Sequence, residues 1–200
     1  MKHLFVALAI AAGMLLPTEV YCTSSASRLI SATRKLAEQG NAKVQFYLGE
    51  AYCYGIIVRQ DYNEAMKWFK LAAAQGDADA QYNIGVMYSS GKGVRQDYNE
   101  AMKWFKLAAA QGIAQAQYNI GVMYDNGKGV RQNYNEAMKW FKLAAAQGYA
   151  LAQYNIGVMY DNGKGVRQNK QLAKEWFGKA CDNGLQMGCD NYRIFNEQGY

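Results

Sequence analysis

The chain has 200 residues, 50% of them apolar and 19% charged, with a formal net charge of +6; this suits a soluble protein of one or two globular domains. Its single His and single Pro are His3 and Pro17, so everything beyond them lacks the means for a Ser-His-Asp triad, a Cys-His pair or a His metal site. Lys and Arg are interspersed with Asp and Glu, which reads as a solvated surface and not as a nucleic-acid face.

The N-terminus has the form of a signal peptide. Lys2 precedes an apolar run from Leu4 to Leu16, too short to span a bilayer, and Pro17 breaks it. Ser24, Ser25 and Ala26 offer a small-residue cleavage site, so residues 1–26 are expected to be removed. Cleavage after Cys22 is an alternative, although a lipid-modified Cys22 would want a small residue where Tyr21 stands. No later apolar run is long enough for a span. The expected product is exported, periplasmic or secreted, without stable membrane insertion.

Beyond residue 40 the chain repeats itself. Trp68, Trp104, Trp140 and Trp176 are spaced 36 apart, as are Gln45, Gln81, Gln117 and Gln153. A fixed period of this size signals a solenoid. Residues 41–184 divide into four units, 41–76, 77–112, 113–148 and 149–184. Residues 27–40 match the second half of a unit and residues 185–200 the first half of another, giving an N-terminal half-repeat and a C-terminal capping helix.

Each unit predicts two helices. In the second unit Ala80, Ile84 and Tyr88 share one stripe, and Tyr82 and Val86 another, as suits a helix packed on more than one side. Gly91 and Gly93 then permit the positive φ of a tight reversal. Asp97 and Glu100 have the spacing of a capping box. Ala101, Trp104, Phe105, Ala108 and Ala109 form the buried face of the second helix. Gly112 ends it, and its small size would let the next helix start close by. One such hairpin cannot bury its apolar face alone, so stacked copies share a core.

The pattern Ala78, Ala80, Gln81, Ile84, Gly85, Tyr88, Gly91, Gly93, Val94, Asp97, Ala101, Trp104, Ala108, Ala109 and Gly112 resembles the Sel-1-like repeat, and neighbouring units carry it too. The resemblance implies an all-α fold, a right-handed αα-superhelix of helix-turn-helix repeats akin to tetratricopeptide arrays, acting as an adaptor or scaffold. Two departures stand out. Ile57 occupies the position of Gly93, Gly129 and Gly165, so the first loop is expected to differ. Leu172 replaces Glu100 and Glu136, so the fourth capping box is expected to be lost.

Cys181 and Cys189 flank a turn and either pair or stay free. Their spacing resembles that of the cysteine-rich exported Sel-1-like proteins, where such a pair bridges adjacent helices, and this implies a disulfide in an oxidising compartment. Cys53 is left free, or paired with Cys22 if that residue survives processing. Ser89 to Lys92 matches the S-x-x-K of serine β-lactamases, but the next unit has Asp125 at the serine position and no S-D-N or K-T-G follows; a turn is the better reading. No catalytic residue, metal ligand or cofactor is expected.

Units two and three differ at only five positions: Asp77/Ile113, Asp79/Gln115, Ser89/Asp125, Ser90/Asn126 and Asp97/Asn133. Variation at the start of the first helix suggests exposure. In solenoids of the resembling class, first helices line the concave side. The candidate groove is therefore Asp79, Asn83 and Met87, then Gln115, Asn119 and Met123, then Leu151, Asn155 and Met159. Asparagines can bond a peptide backbone and Met adapts to varied side chains; the alternative is a solvated face without a ligand. The leading function is a monomeric, non-enzymatic envelope scaffold binding a protein or peptide. The cysteine-rich relatives, some labelled β-lactamases, supply the alternative of a β-lactam or cell-wall binder or hydrolase. A plain structural spacer is a third.

Overall fold

In the computed structural model, residues 23–200 are described, with side chains from Arg28 onward; the expected signal peptide lies almost wholly outside them. Among the described residues there are ten α-helices and no strand. The first is α1 (Thr23–Glu38). Then come the pairs α2 (Ala42–Tyr54) and α3 (Tyr62–Ala74), α4 (Ala78–Ser90) and α5 (Tyr98–Ala110), α6 (Ala114–Asn126) and α7 (Tyr134–Ala146), and α8 (Ala150–Asn162) and α9 (Lys170–Asp182). The last is α10 (Gln186–Glu197). The all-α, tandem helix-turn-helix expectation is borne out. The chain divides into two compact units, Met1–Trp104 and Phe105–Tyr200.

Within a pair, the two helices meet at a glycine. A Cβ on Gly49 would lie 2.6 Å from the Phe69 ring, and one on Gly121 2.6 Å from Phe141. Each phenylalanine is fully buried there, so the missing side chain of the first helix is the socket for the ring of the second. In α10 the equivalent position is Arg193, whose side chain is 70% exposed. This helix therefore lacks the glycine socket.

A buried glutamine ties each of α2, α6 and α8 to its surroundings. Gln117 is 7% exposed. Its amide nitrogen donates to the Ala109 carbonyl at the end of the preceding second helix (3.4 Å). Its oxygen accepts from the Gln147 amide at the end of its own repeat's second helix (2.8 Å). Gln45 does the same with Ala37 and Gln75, and Gln153 with Ala145 and Asn183. Among the described residues no buried side-chain polar atom lacks a partner.

The loops are also built alike. Gly55, Gly91, Gly127 and Gly163 end the first helices in the left-handed conformation. Gln60, Gln96, Gln132 and Gln168 then donate back to a carbonyl in the last turn of those helices.

Four details of the sequence reading need correction. Asp97 accepts from the Asn99 and Glu100 amides, but its own N–H goes to the Tyr88 carbonyl (3.0 Å) and Glu100 pairs with Lys103; the box is a one-sided cap. The fourth repeat therefore loses nothing with Leu172, since Asn169 still accepts from the Leu172 N–H. Gly112 is there for its φ of +89°, because nothing lies within 4 Å of a Cβ built on it. Finally, the first loop does not differ: Ile57 takes a φ of +58°, close to the +70° of Gly93. The glycines of later loops meet a further demand: a Cβ on Gly93 would meet Tyr62 at 2.7 Å, and one on Gly165 would meet Tyr134 at 2.7 Å. Glycine is needed in later loops for space as well as conformation.

Cys181 and Cys189 form a disulfide joining the end of α9 to α10. Closing so short a loop contributes about 2–3 kcal/mol in the chain-entropy view.

Two stability predictions follow from these contacts. Replacing Gln117 by Leu removes two hydrogen bonds, one to the Ala109 carbonyl, which keeps the Gly112 N–H, and one from the Gln147 amide, and should cost about 1–3 kcal/mol in urea denaturation; Gln147→Ala, which removes only the second, should cost about 0.5–1.5 kcal/mol. Ile57→Gly relieves a left-handed β-branched residue, worth about 1–2 kcal/mol, and after the added freedom of the unfolded chain should stabilise by about 0.5–1 kcal/mol. An Ile57→Gly variant less stable than the parent would show that the side chain packs more strongly than the backbone strains.

Candidate functional site

The helical geometry sorts the candidate groove residues into two sets. At about 100° per residue, seven residues fall about 20° short of two turns and eight overshoot by about 80°. A face started at Asp79 and Asn83 therefore continues to Val86 and Ser90, not to Met87. The structure shows this directly. Met87, Met123 and Met159 are 2%, 4% and 2% exposed and belong to the core, so they cannot line a groove. Val86, Val122 and Val158, missed in the sequence reading, are partly exposed. The signal was available as the i, i+4, i+7 spacing.

The remaining candidates stay at least partly accessible. Gln115 is exposed, and Asp79, Asn83, Asn119, Leu151 and Asn155 are intermediate. The asparagines are not idle. The Asn83 amide folds back to the Asp79 carbonyl (3.0 Å). Asn155 hydrogen-bonds the Tyr118 hydroxyl of the preceding repeat, and Asn191, one period later, donates to the Tyr154 hydroxyl (3.1 Å). The Asn155 and Asn191 side chains thus link neighbouring first helices, whereas Asn83 bonds within its own.

In the unit Met1–Trp104 this face is ionic. Lys43 of α2 bridges Asp77 (3.7 Å) and Asp79 (3.3 Å) at the start of α4, and its ammonium also sits over the Phe46 ring. Asp77 caps α4 through the Ala80 N–H. Glu50, on the same stripe of α2, is partly buried; that burial and the Asp79 and Asp77 carboxylates push its carboxyl up to about 6, against a downward pull from Lys43.

The loops and thiols are quieter. The Ser89 hydroxyl donates to the Val86 carbonyl (2.9 Å), and Lys92 lies over the Tyr62 ring, so the S-x-x-K residues are taken up by the turn. Lys164 sits over Tyr134 in the same way. Cys53 is free and half-buried, and burial raises its thiol. Among the described residues no three His, Cys, Asp or Glu side chains gather as a metal set, and no helix is long and apolar enough to cross a membrane.

This architecture defines a class, and comparison with known proteins gives its family. The Sel1 repeat model matches residues 42–77, 78–113, 114–149 and 150–185, one residue out of phase with the period read from the sequence. The chain belongs to the Sel1 repeat family, whose members share a solenoid fold that generally serves as a protein-interaction scaffold. The crystal structure of c5321, a protective antigen of uropathogenic Escherichia coli displaying an SLR fold, is 40% identical with a TM-score of 0.81; the match covers 85% of this chain and 36% of that one. A Sel1 repeat protein from Oxalobacter formigenes is 29% identical, also at 0.81, covering 92% and 71%. Cysteine rich protein B of Helicobacter pylori, 20% identical at 0.53 over 66% and 94%, shares the fold. The chain thus spans little more than a third of the antigen's length. No curated protein matches it.

The raised Glu50 carboxyl gives a pH prediction. The folded chain holds this proton more tightly than the unfolded chain, in which the group titrates near 4.5. Its favourable contribution is complete below that value and is lost as pH rises through 6. Glu50→Gln should therefore raise the melting temperature at about pH 8 and leave it nearly unchanged at about pH 4, as read by circular dichroism.

Proposed function

We propose that this chain is an exported, non-catalytic scaffold that binds a protein or peptide through the outward face of its first helices. One observation carries the reading. Repeats two and three are identical except at five positions, and two of those, 77/113 and 79/115, open the first helix. The fourth repeat changes there again, to Tyr149 and Leu151. Between repeats two and three the buried residues are identical, whereas the accessible position 79/115 changes, and Leu151 changes it again. Export is supported by the N-terminal pattern and by the Cys181–Cys189 disulfide, a bond of oxidising compartments.

Site-specific photo-cross-linking tests the face. A benzoylphenylalanine at Gln115 should give discrete adducts with envelope proteins, and one at Lys142 on the second helix should not. Adducts from Lys142 alone would move the binding surface to the second helices. The exported chain should begin at Ser27 by N-terminal sequencing. Nitrocefin should remain uncleaved by the purified chain, and hydrolysis would revive the β-lactamase alternative.

A further inference from the structure

Within Phe105–Tyr200 the loops 127–133 and 163–169 form an edge that gathers positive charge. Lys128, Arg131, Lys164 and Arg167 are all exposed on it. The loops that carry them are tied down. Gly127 and Gly163 end the helices in the left-handed conformation, and Gln132 and Gln168 donate back to the Asp125 and Asp161 carbonyls, both at 2.7 Å. The two repeats also touch here. A Cβ on Gly165 would lie 2.8 Å from the Tyr134 carbonyl carbon, and the Lys164 ammonium rests over the Tyr134 ring. The backbone positions of the cations are thus fixed before anything binds, which lowers the cost of binding.

Most of the acidic groups on this edge already have partners. Asp161 is held by Lys170 and Glu136 by Lys139, which leaves Asp125 and Glu197, near the ends of α6 and α10. Arg131 and Arg167 enter no ion pair, hydrogen bond or ring contact among the described residues. Beside Arg167 the edge opens into a cleft of about 620 Å³, with Tyr160, Gln171 and Tyr200 in its walls; the Tyr200 main-chain oxygen is taken by Lys174. This pattern selects among anions. None of the large apolar side chains exposed in the described residues lies in these loops, so the edge offers a bilayer nothing to insert. A uniformly anionic surface would also bring charge against Asp125 and Glu197. A flexible acidic peptide can set its carboxylates on the arginines and keep them off those two acids. The guanidinium fork matches both oxygens of a carboxylate, and the cleft has room for the side chain that carries it.

We propose that the loop edge of repeats three and four is a second interaction surface, separate from the first helices, and that it takes an acidic segment of a protein partner. Fluorescence anisotropy on the whole chain at low salt tests it with end-capped peptides of equal length, one of Glu and Ser, one of Gln and Ser, and one of Lys and Ser. Only the Glu peptide should bind, and less tightly as salt rises. Arg131→Gln with Arg167→Gln should weaken it by about fivefold, the scale of two exposed ion pairs, with helical dichroism and melting unchanged. Lys106→Gln with Lys142→Gln removes the same charge from the second helices and should change binding by less than about twofold. Should the first pair disturb folding, Arg131→Lys with Arg167→Lys keeps the charge, loses the fork and should still weaken binding by about twofold. Equal weakening by the two Gln pairs would reduce the effect to net charge and overturn the proposal. Binding of the Gln peptide, or no binding of the Glu peptide, overturns it as well. So does co-sedimentation with phosphatidylglycerol vesicles that the Arg131→Gln, Arg167→Gln pair abolishes, since the edge would then serve a lipid surface. Cross-links from Gln115 report on the first helices alone, so that reading stands or falls separately.

Discussion

The structure depends on a hydrogen bond that a solenoid has to make somewhere out of water. Close-packed helices leave the carbonyls at each helix end without an intrahelical donor, and here those ends are covered by the next repeat. One glutamine per repeat resolves the conflict. From the middle of the core it gives a second donor to the carbonyl behind it, which also accepts from the glycine N–H that closes that helix, and receives the amide of a residue 30 positions ahead. An apolar residue of the same volume would fill the space but leave the carbonyl with the glycine N–H alone and break the tie to the second helix. The glutamine also couples three helices that the hydrophobic effect, being non-directional, would let slide. Apolar packing against Phe69, Phe141 and Phe177 sets the spacing of the helices, and the amide sets their register.

The period exposed most of this architecture because a solenoid repeats its contacts along with its letters. Helix boundaries, the loop glycines and the aromatic face all sit at fixed intervals, so one unit interprets the rest. The glutamine was visible as a 36-residue spacing but not its task, because its partners lie 8 and 30 residues away and periodicity alone does not pair them. The capping box failed for a related reason. The Asp97 N–H is claimed by the Tyr88 carbonyl across the loop, a contact that the local four-residue motif does not contain.

The candidate face shows the reverse error. Asp79, Asn83 and Met87 look collinear when helical positions are counted in fours, yet by the second step the drift of the helix has carried the methionine into the core. Adding Val86, Val122 and Val158 in its place turns a flexible sulfur-lined surface into a stiffer aliphatic one interrupted by amides. The ionic cluster of Lys43, Glu50, Asp77 and Asp79 was legible only as separate charges, because it joins side chains from two repeats. Ile57 was misjudged from the opposite side: a loop conformation is set by the hydrogen bonds at its ends, and one unfavourable residue is not enough to change it.

The glycine-to-arginine exchange at position 193 separates two kinds of information in the chain. The repeats present their neighbours with nearly the same socket, ring and amide, whereas the disulfide and Arg193 occur once, on α9 and α10. An exchange between the near-verbatim segments would therefore lengthen or shorten the gene product by a whole repeat while leaving the disulfide-linked α9 and α10 intact. Reach becomes a heritable variable that can change in steps of one hairpin.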